Sequence, residues 1–228
     1  MINLDKNLST NFKFLVNYFS KYYLRQSLAL SKSPCWLCHE ASTHPSRICQ
    51  PCLEDLPWNT FHCRQCALPL PISQPILNKQ LSQTILCGEC ISKPPPFTRT
   101  VSPFLYEFPL KQIIHQLKYA QKRYWVRPGC TLLIEAIAQT YRENELPELL
   151  IPIPMHRKKQ NARGYNQADL ICRRLSRSLR IKQSNNILLK TRQTKSQAGL
   201  NKTERLQNLK GSLKTVNEST IKGQHIAL

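Results

Sequence analysis

At 228 residues the chain has room for one α/β domain and a small accessory module. Its 41% hydrophobic share is that of a globular protein and excludes a wholly disordered one. Lys and Arg number 33 against 13 acidic residues, a formal charge of +20 that favours an anionic partner such as nucleic acid, a phosphorylated small molecule or an acidic membrane surface, without choosing among them. The excess is concentrated late. From Met155 to Leu228 there are 17 basic and 3 acidic residues, so +14 of the +20 lies in the last third.

Residues 4–30 read as an amphipathic helix, with Leu8, Phe12, Leu15, Phe19 and Tyr22 on one face. That face serves either packing on the protein itself or, with its neighbouring bases, an interfacial role. Asp5, Lys6, Lys13, Lys21 and Arg25 interrupt any apolar core that a signal peptide would need. No stretch approaches the ~20 apolar residues of a membrane span. The expected location is the cytoplasm, where thiols stay reduced and paired cysteines hold metal more often than they form disulfides.

Eight of the ten cysteines form four CxxC pairs: Cys35/Cys38, Cys49/Cys52, Cys63/Cys66 and Cys87/Cys90. Two residues between thiols let one tight turn aim both sulfurs at a single ion, and two such turns complete a tetrahedral site. The eight thiols therefore predict two structural zinc ions in a double zinc ribbon, each knuckle capping a short hairpin. Sequential pairing, first with second and third with fourth, is preferred, and a cross-braced arrangement stays open. His39, His44 and His62 are read as non-ligands because eight thiolates already fill two sites. Closed four-cysteine sites leave no open position for substrate, so no catalysis is expected at them. Each zinc with four thiolates contributes −2, which leaves the basic excess in place. Cys130 and Cys172 lack CxxC partners and are read as buried apolar cysteines.

Proline-rich stretches at Leu68–Pro75 and Lys93–Pro96 punctuate the chain, the second marking a domain boundary. Beyond it the pattern predicts a strand over Val101–Phe108, a helix from Leu110 to Tyr119, and a second helix over Gly129–Asn144. A strand over Leu149–Ile153 follows, stopped by Pro152 and Pro154. Next come a basic loop bearing Arg157, Lys158, Lys159 and Arg163, a turn at Gly164, and a helix over Asn166–Arg180 with Asn166 as its N-cap. Strand, basic loop, glycine and capped helix is how α/β folds present amide N–H groups and cations to phosphate. The alternative is a solvated basic connection. Further on, Asn186–Lys190 reads as a strand, Thr191–Leu200 as an exposed mobile loop, and Asn201–Leu209 as a helix with Leu206 and Leu209 inward. Gly211–Val216 and Gln224–Leu228 read as strands. The alternation predicts a parallel sheet with helices against it.

The order of these motifs resembles the ComF family (competence protein F, also called ComF/GntX), whose members join a double zinc ribbon to a type I phosphoribosyltransferase-like domain. The resemblance is carried by the four CxxC pairs, Asp55-Leu56-Pro57, Tyr106 through Lys118-Tyr119, and Pro152-Ile153-Pro154. Arg163-Gly164-Tyr165-Asn166-Gln167 is the most specific part, and Gln197, Leu200, Arg205, Asn208 and Gly211 follow in the family's order. The fold implied is α/β: an N-terminal amphipathic helix over 1–33, a double zinc ribbon over 34–93, and an incomplete parallel-sheet phosphoribosyltransferase-like domain over 97–228.

The resemblance implies a cytoplasmic role in natural transformation, handling incoming single-stranded DNA with other competence or DNA-processing proteins as partners. It also implies binding of phosphoribosyl pyrophosphate, with Mg2+, in complete members. Lys118, Arg163, Gly164, Tyr165, Asn166, Gln167, Gln197 and Arg205 would contact substrate, and Thr191–Leu200 would close over it. One departure stands out. An adjacent acidic pair followed by a Thr/Gly-rich turn, which holds ribose hydroxyls and 5′-phosphate in such enzymes, is absent from the 228 residues. The family would place it just after Gln224–Leu228, so the reading is a truncated member with no catalytic residues and with ribose-phosphate binding weakened or lost. The competing functions are a phosphoribosyltransferase of nucleotide salvage and a non-enzymatic zinc-ribbon interaction module.

Overall fold

The computed structural model describes residues 32–71, 85–141 and 146–228. The helix read over residues 4–30, part of the Leu68–Pro75 stretch, and the Asn144 end of the second α/β helix lie outside them.

The two cysteine arrays are built on one plan. Ser33–Pro34 (β1) and Ala41–Ser42 (β2) pair antiparallel around the turn that holds Cys35 and Cys38. Cys49 is the N-cap of a short helix, Gln50–Glu54 (α1), which carries Cys52 and takes Pro51 in its first turn, where a missing N–H costs nothing. In the second array a single antiparallel bridge between His62 and Pro69 stands in for the hairpin. Cys87 then caps Gly88–Ser92 (α2), which carries Cys90. The expectation that every knuckle caps a hairpin is corrected: the first pair of each array does so, and the second opens a helical turn.

Val101–Phe108 does not form the expected strand. It runs alongside the cysteine region, making one bridge from Phe104 to Trp58 and two backbone bonds, Asn59 N to Pro103 O and Leu105 N to Pro57 O. Pro103 has no N–H to offer a ladder, which limits the pairing to this patch. Leu110–Tyr119 (α3) follows, then a 3-10 turn at Arg123–Trp125 leading into Val126–Thr140 (α4). Pro128 occupies the first turn of α4, so that helix starts earlier than Gly129.

Leu149–Leu150 (β3) is the centre of a three-stranded parallel sheet. It pairs with Lys182–Gln183 (β4) on one side and Ile226–Ala227 (β7) on the other. Arg157–Arg163 (α5) and Gln167–Leu179 (α6) make the crossover from β3 to β4. The basic stretch expected as a loop is thus a helix. Leu188–Lys190 (β5) and Leu213–Thr215 (β6) form an antiparallel pair outside the sheet, with Lys202–Leu209 (α7) between them in sequence. The parallel sheet is therefore smaller than expected, because β5 and β6 pair with each other.

Side chains of β3 alternate as strand geometry requires. Leu150 joins Ile134, Leu146, Cys172, Leu179 and Ile181 in the core shared with α4 and α6. Leu149 and Ile151 face the other way, onto Ile187 with Leu188, Ile221 and Ile226. The first cysteine array is continuous with this body, since Cys35, Ile48, Cys49, Leu53 and Leu56 share a core with Leu132 of α4. Leu206 and Leu209 of α7, expected to point inward, are 64% and 41% exposed. Among the described residues no helix is long and apolar enough to cross a membrane.

Candidate functional site

The eight CxxC sulfurs converge in two sets, Cys35/Cys38/Cys49/Cys52 and Cys63/Cys66/Cys87/Cys90, with the sulfurs of each set within 4.8 Å of one another. Pairing is sequential. A zinc–thiolate bond of ~2.3 Å puts tetrahedral sulfurs about 3.8 Å apart. The approaches of Cys38 to Cys49 at 3.4 Å and of Cys66 to Cys87 at 3.7 Å fit that ion. No histidine joins either set. His62 Nδ1 lies 2.7 Å from Asn59 O, and His44 Nδ1 lies 2.7 Å from Ser46 Oγ. Burial pulls His44 below the ordinary imidazole range, so at neutral pH its 3.7 Å approach to Glu135 is that of an uncharged ring.

One thiol in each set is held below the ordinary cysteine range by backbone amides. Burial alone would push Cys35 up, but amides of Cys38, Cys49 and Leu37 hydrogen-bond its sulfur and bring it down to about 7. Cys63 is lowered to about 6 in the same way, burial being outweighed by amides of Cys66, Cys87 and Gln65. Burial and neighbouring sulfurs raise Cys52 and Cys90 instead. Four crowded thiols cannot all ionise without a cation among them, and a bound divalent ion resolves that conflict. Cys130 and Cys172 stand apart, both buried, with thiols pushed up to about 12 and about 11 mainly by burial.

The Arg163–Gln167 segment is the joint between α5 and α6. His156 caps α5, its Nδ1 accepting from Lys158 N. Gly164 ends the helix in the left-handed region at φ 80, where a side chain would be strained, and a Cβ there would also lie 3.4 Å from Arg123 Nη2. Asn166 caps α6, accepting from Ala168 N at 3.1 Å while its Nδ2 donates to Ile153 O at 2.9 Å.

Tyr165 is only 5% exposed. Its hydroxyl donates to Leu117 O, and the Arg123 guanidinium covers its ring at 4.6 Å. Gln167 Nε2 also donates to Leu117 O, at 3.3 Å, and Gln167 Oε1 accepts from Arg163 Nη1 at 2.9 Å. The carbonyl of Leu117 therefore locks the end of α3 to the α5–α6 joint. Tyr165 anchors this junction and, with its ring covered, offers no open face for stacking. Lys118, next to Leu117, is exposed.

The other predicted contacts sit on a second segment. Thr191–Leu200 is mostly exposed, with Thr194 buried, and it is pinned: Arg192 Nη2 donates to Asn208 O and Lys210 O at 3.0 and 2.9 Å, and Lys195 and Asn208 exchange two bonds of 3.2 Å. Lys159 of α5 reaches across to Lys195 O at 3.4 Å, joining the two segments. Lys190 donates to Ser212 Oγ at 2.8 Å, and burial, with the charges of Arg192 and Lys159, lowers its ammonium. The Gln197 amide is closed off with neither its O nor its N partnered. Arg205 lies on α7, beside an open groove of about 320 Å3 lined also by Leu200, Leu206 and Leu209. A larger open concavity of about 520 Å3 lies elsewhere, where Arg173 and Arg177 of α6 face Gln183–Asn186. Sequence reading missed the Leu117 carbonyl, Arg123, Lys190 and Arg192. Only the basic-aromatic run Arg123-Tyr124-Trp125 carried a local signal.

No family model matches the chain, and no solved structure matches it. Curated relatives do. DNA utilization protein YhgH of Escherichia coli (strain K12) is 31% identical over 198 residues, spanning 85% of this chain and 82% of that protein. Its counterpart in Salmonella typhimurium is 30% identical over the same shares. Competence protein F of Haemophilus influenzae is 38% identical over 129 residues, 55% of this chain and 56% of that protein. A match of this extent cannot rest on one motif, and it follows that the chain, with its two tetracysteine clusters and α/β body, belongs to the family of DNA utilization protein YhgH and competence protein F.

Proposed function

We propose that this chain is a cytoplasmic DNA-handling protein that binds single-stranded DNA during DNA uptake and use, on a phosphoribosyltransferase-like scaffold braced by two structural zinc ions. The observation that carries the reading is the cationic face where α5 meets the Thr191–Leu200 segment. Lys159 reaches Lys195 O there, Lys190 donates to Ser212 Oγ, and Arg192 spans Asn208 O and Lys210 O, so three cations gather around one segment. Holding like charges together is unfavourable unless an anion is to be met, and a polyanionic backbone meets several at once. The relatives' names, a DNA utilization protein and a competence protein, point the same way.

The scaffold reading rests on the β4–β3–β7 parallel order. Ligands of open α/β sheets bind beyond the carboxyl ends of the strands, which here lead to Pro152–Pro154 and Ser184–Asn186. Four thiolates per site suit zinc, which would be held by Cys35, Cys38, Cys49 and Cys52 in one site and by Cys63, Cys66, Cys87 and Cys90 in the other. With every position filled by sulfur, the ion would supply folding energy and no chemistry.

The test is a salt titration of single-stranded oligonucleotide binding. The logarithm of affinity is expected to fall linearly with the logarithm of salt, at about 0.7 per phosphate neutralised. K158E/K159E should flatten that slope. Absent binding at low salt would remove the DNA reading. Isothermal titration with phosphoribosyl pyrophosphate and Mg2+ is expected to show no tight binding, and tight binding would favour the salvage-enzyme alternative.

A further inference from the structure

With the Tyr165 ring covered, the face has cations but lacks the aromatic partner that single-strand binders use to hold bases. We propose that Tyr119, at the end of α3, is that partner: a stacking platform for an unpaired base, flanked by Arg163 and His115. The proposal rests on the DNA reading above and names the residue that touches a base.

Three observations carry it. Tyr119 is 58% exposed, so its ring is presented to solvent rather than spent on the core. The ring is not loose: the Arg163 guanidinium lies 5.5 Å from its centroid, and the His115 ring, one helical turn earlier, lies 4.8 Å away at an interplanar angle of 46°. Its base is rigid as well, because Leu117 O, two residues before it, accepts from both Tyr165 and Gln167. A pre-positioned flat ring loses little freedom when a base stacks on it.

The electrostatic setting suits a polyanion. Between Leu110 and Pro128 there are five cations, Lys111, Lys118, Lys122, Arg123 and Arg127, and no acidic residue. Between Leu149 and Ala168 there are four more and again no acid. Asp169, the first carboxylate after them, is engaged by Arg173, Gln183 and Asn185. A strand whose phosphates follow these cations would bring a base to the Tyr119 face opposite Arg163, and the guanidinium over the other face would hold the ring in place. Stacking on a tyrosine is indifferent to base identity, so the expected preference is for any unpaired base over none.

The bland alternative is that Tyr119 merely orients Arg163 for phosphate contact. Comparing an oligothymidylate of about 16 nucleotides with an abasic oligonucleotide of equal phosphate number separates the two roles. The wild-type chain is expected to prefer oligothymidylate by about tenfold. Tyr119→Ala should remove that preference while leaving abasic binding and the salt slope unchanged, and Tyr119→Phe should keep it. Equal weakening toward both oligonucleotides would show an orienting role and overturn the proposal. So would Tyr119→Ala retaining the preference. Failure of the wild-type chain to bind either strand at low salt overturns the DNA reading itself, and the stacking role with it. The residue is exposed at a helix end, and circular dichroism of both variants checks that the fold is intact.

Discussion

Tyr165 shows how one side chain ties the candidate site together. Its phenol donates to Leu117 O from a position with 5% exposure, and the Arg123 guanidinium covers its ring. Removing the hydroxyl alone leaves Leu117 O with the Gln167 amide, so no acceptor is orphaned. Tyr165→Phe is therefore expected to cost about 1 kcal/mol of stability, the worth of one neutral buried hydrogen bond. Tyr165→Ala should cost about 3–5 kcal/mol, because it also leaves a cavity between α3 and the α5–α6 joint. Urea unfolding of the two variants checks both values. A phenylalanine as damaging as alanine would mean that the Leu117 bond, rather than packing, holds the joint.

At the scale of the element, α7 is a helix with little tertiary support. It has eight residues, its leucines are exposed, and its tie to α2 through Lys202 and Glu89 is fully solvated and contributes little. Short helices without tertiary packing are marginal, so the cap carries the burden. Asn201 Oδ1 accepts from Glu204 N at 2.9 Å, and Glu204 Oε2 accepts from Asn201 N at 2.8 Å, a reciprocal capping box. Asn201→Ala is expected to destabilise the helix by about 1 kcal/mol. Hydrogen exchange over 202–209 should quicken several-fold while the global melting temperature stays put, and a global drop would show that α7 is part of the main cooperative unit.

The same elements show what could be read in advance. The two helices with asparagine caps, α6 at Asn166 and α7 at Asn201, start at the expected positions, because such a cap is written in local sequence. The CxxC spacing likewise carried the metal clusters, leaving only their pairing to the fold. The α5 helix escaped because it buries no residue and so has no apolar period. Its signals were helix-forming Arg, Lys, Gln and Ala ahead of a glycine stop. Residues 101–108 failed in the opposite sense. Their apolar residues do not find a sheet: Phe104 packs against Trp58 and the cysteine region, while Tyr106 and Phe108 stay exposed. The anchoring carbonyl of Leu117 was out of reach, since a backbone group has no sequence signature and gains its role only when α3 meets the α5–α6 joint.

Across the whole molecule the two tetracysteine clusters are alike in ligands and unlike in surroundings. The first shares its core with Leu132, Phe104 and Leu110, so its sulfurs are one side of a contact with α3 and α4. Trp36, between its first two cysteines, stacks on Tyr124 at 5.0 Å and approaches Trp125 at 6.3 Å. That turn leads through Arg123 to Tyr165 and the cationic face. Among the described residues, the second cluster packs on little beyond its own thiols and Leu70. A structural zinc supplies on the order of 10 kcal/mol to the fold that forms around it, and its loss propagates as far as that fold does. Cys49→Ser/Cys52→Ser is therefore expected to lower the melting temperature of the entire chain, red-shift the emission of Trp36 and Trp125, and weaken DNA binding through the displaced α3. Cys87→Ser/Cys90→Ser should release one zinc equivalent with a smaller thermal shift and near-normal tryptophan emission. Metal content, melting and fluorescence measured on the two double variants decide the matter. Equal thermal losses would mean that the second cluster is braced by contacts as extensive as the first. The expected asymmetry would make the first cluster the clamp between the cysteine arrays and the cationic face of α3 and α5.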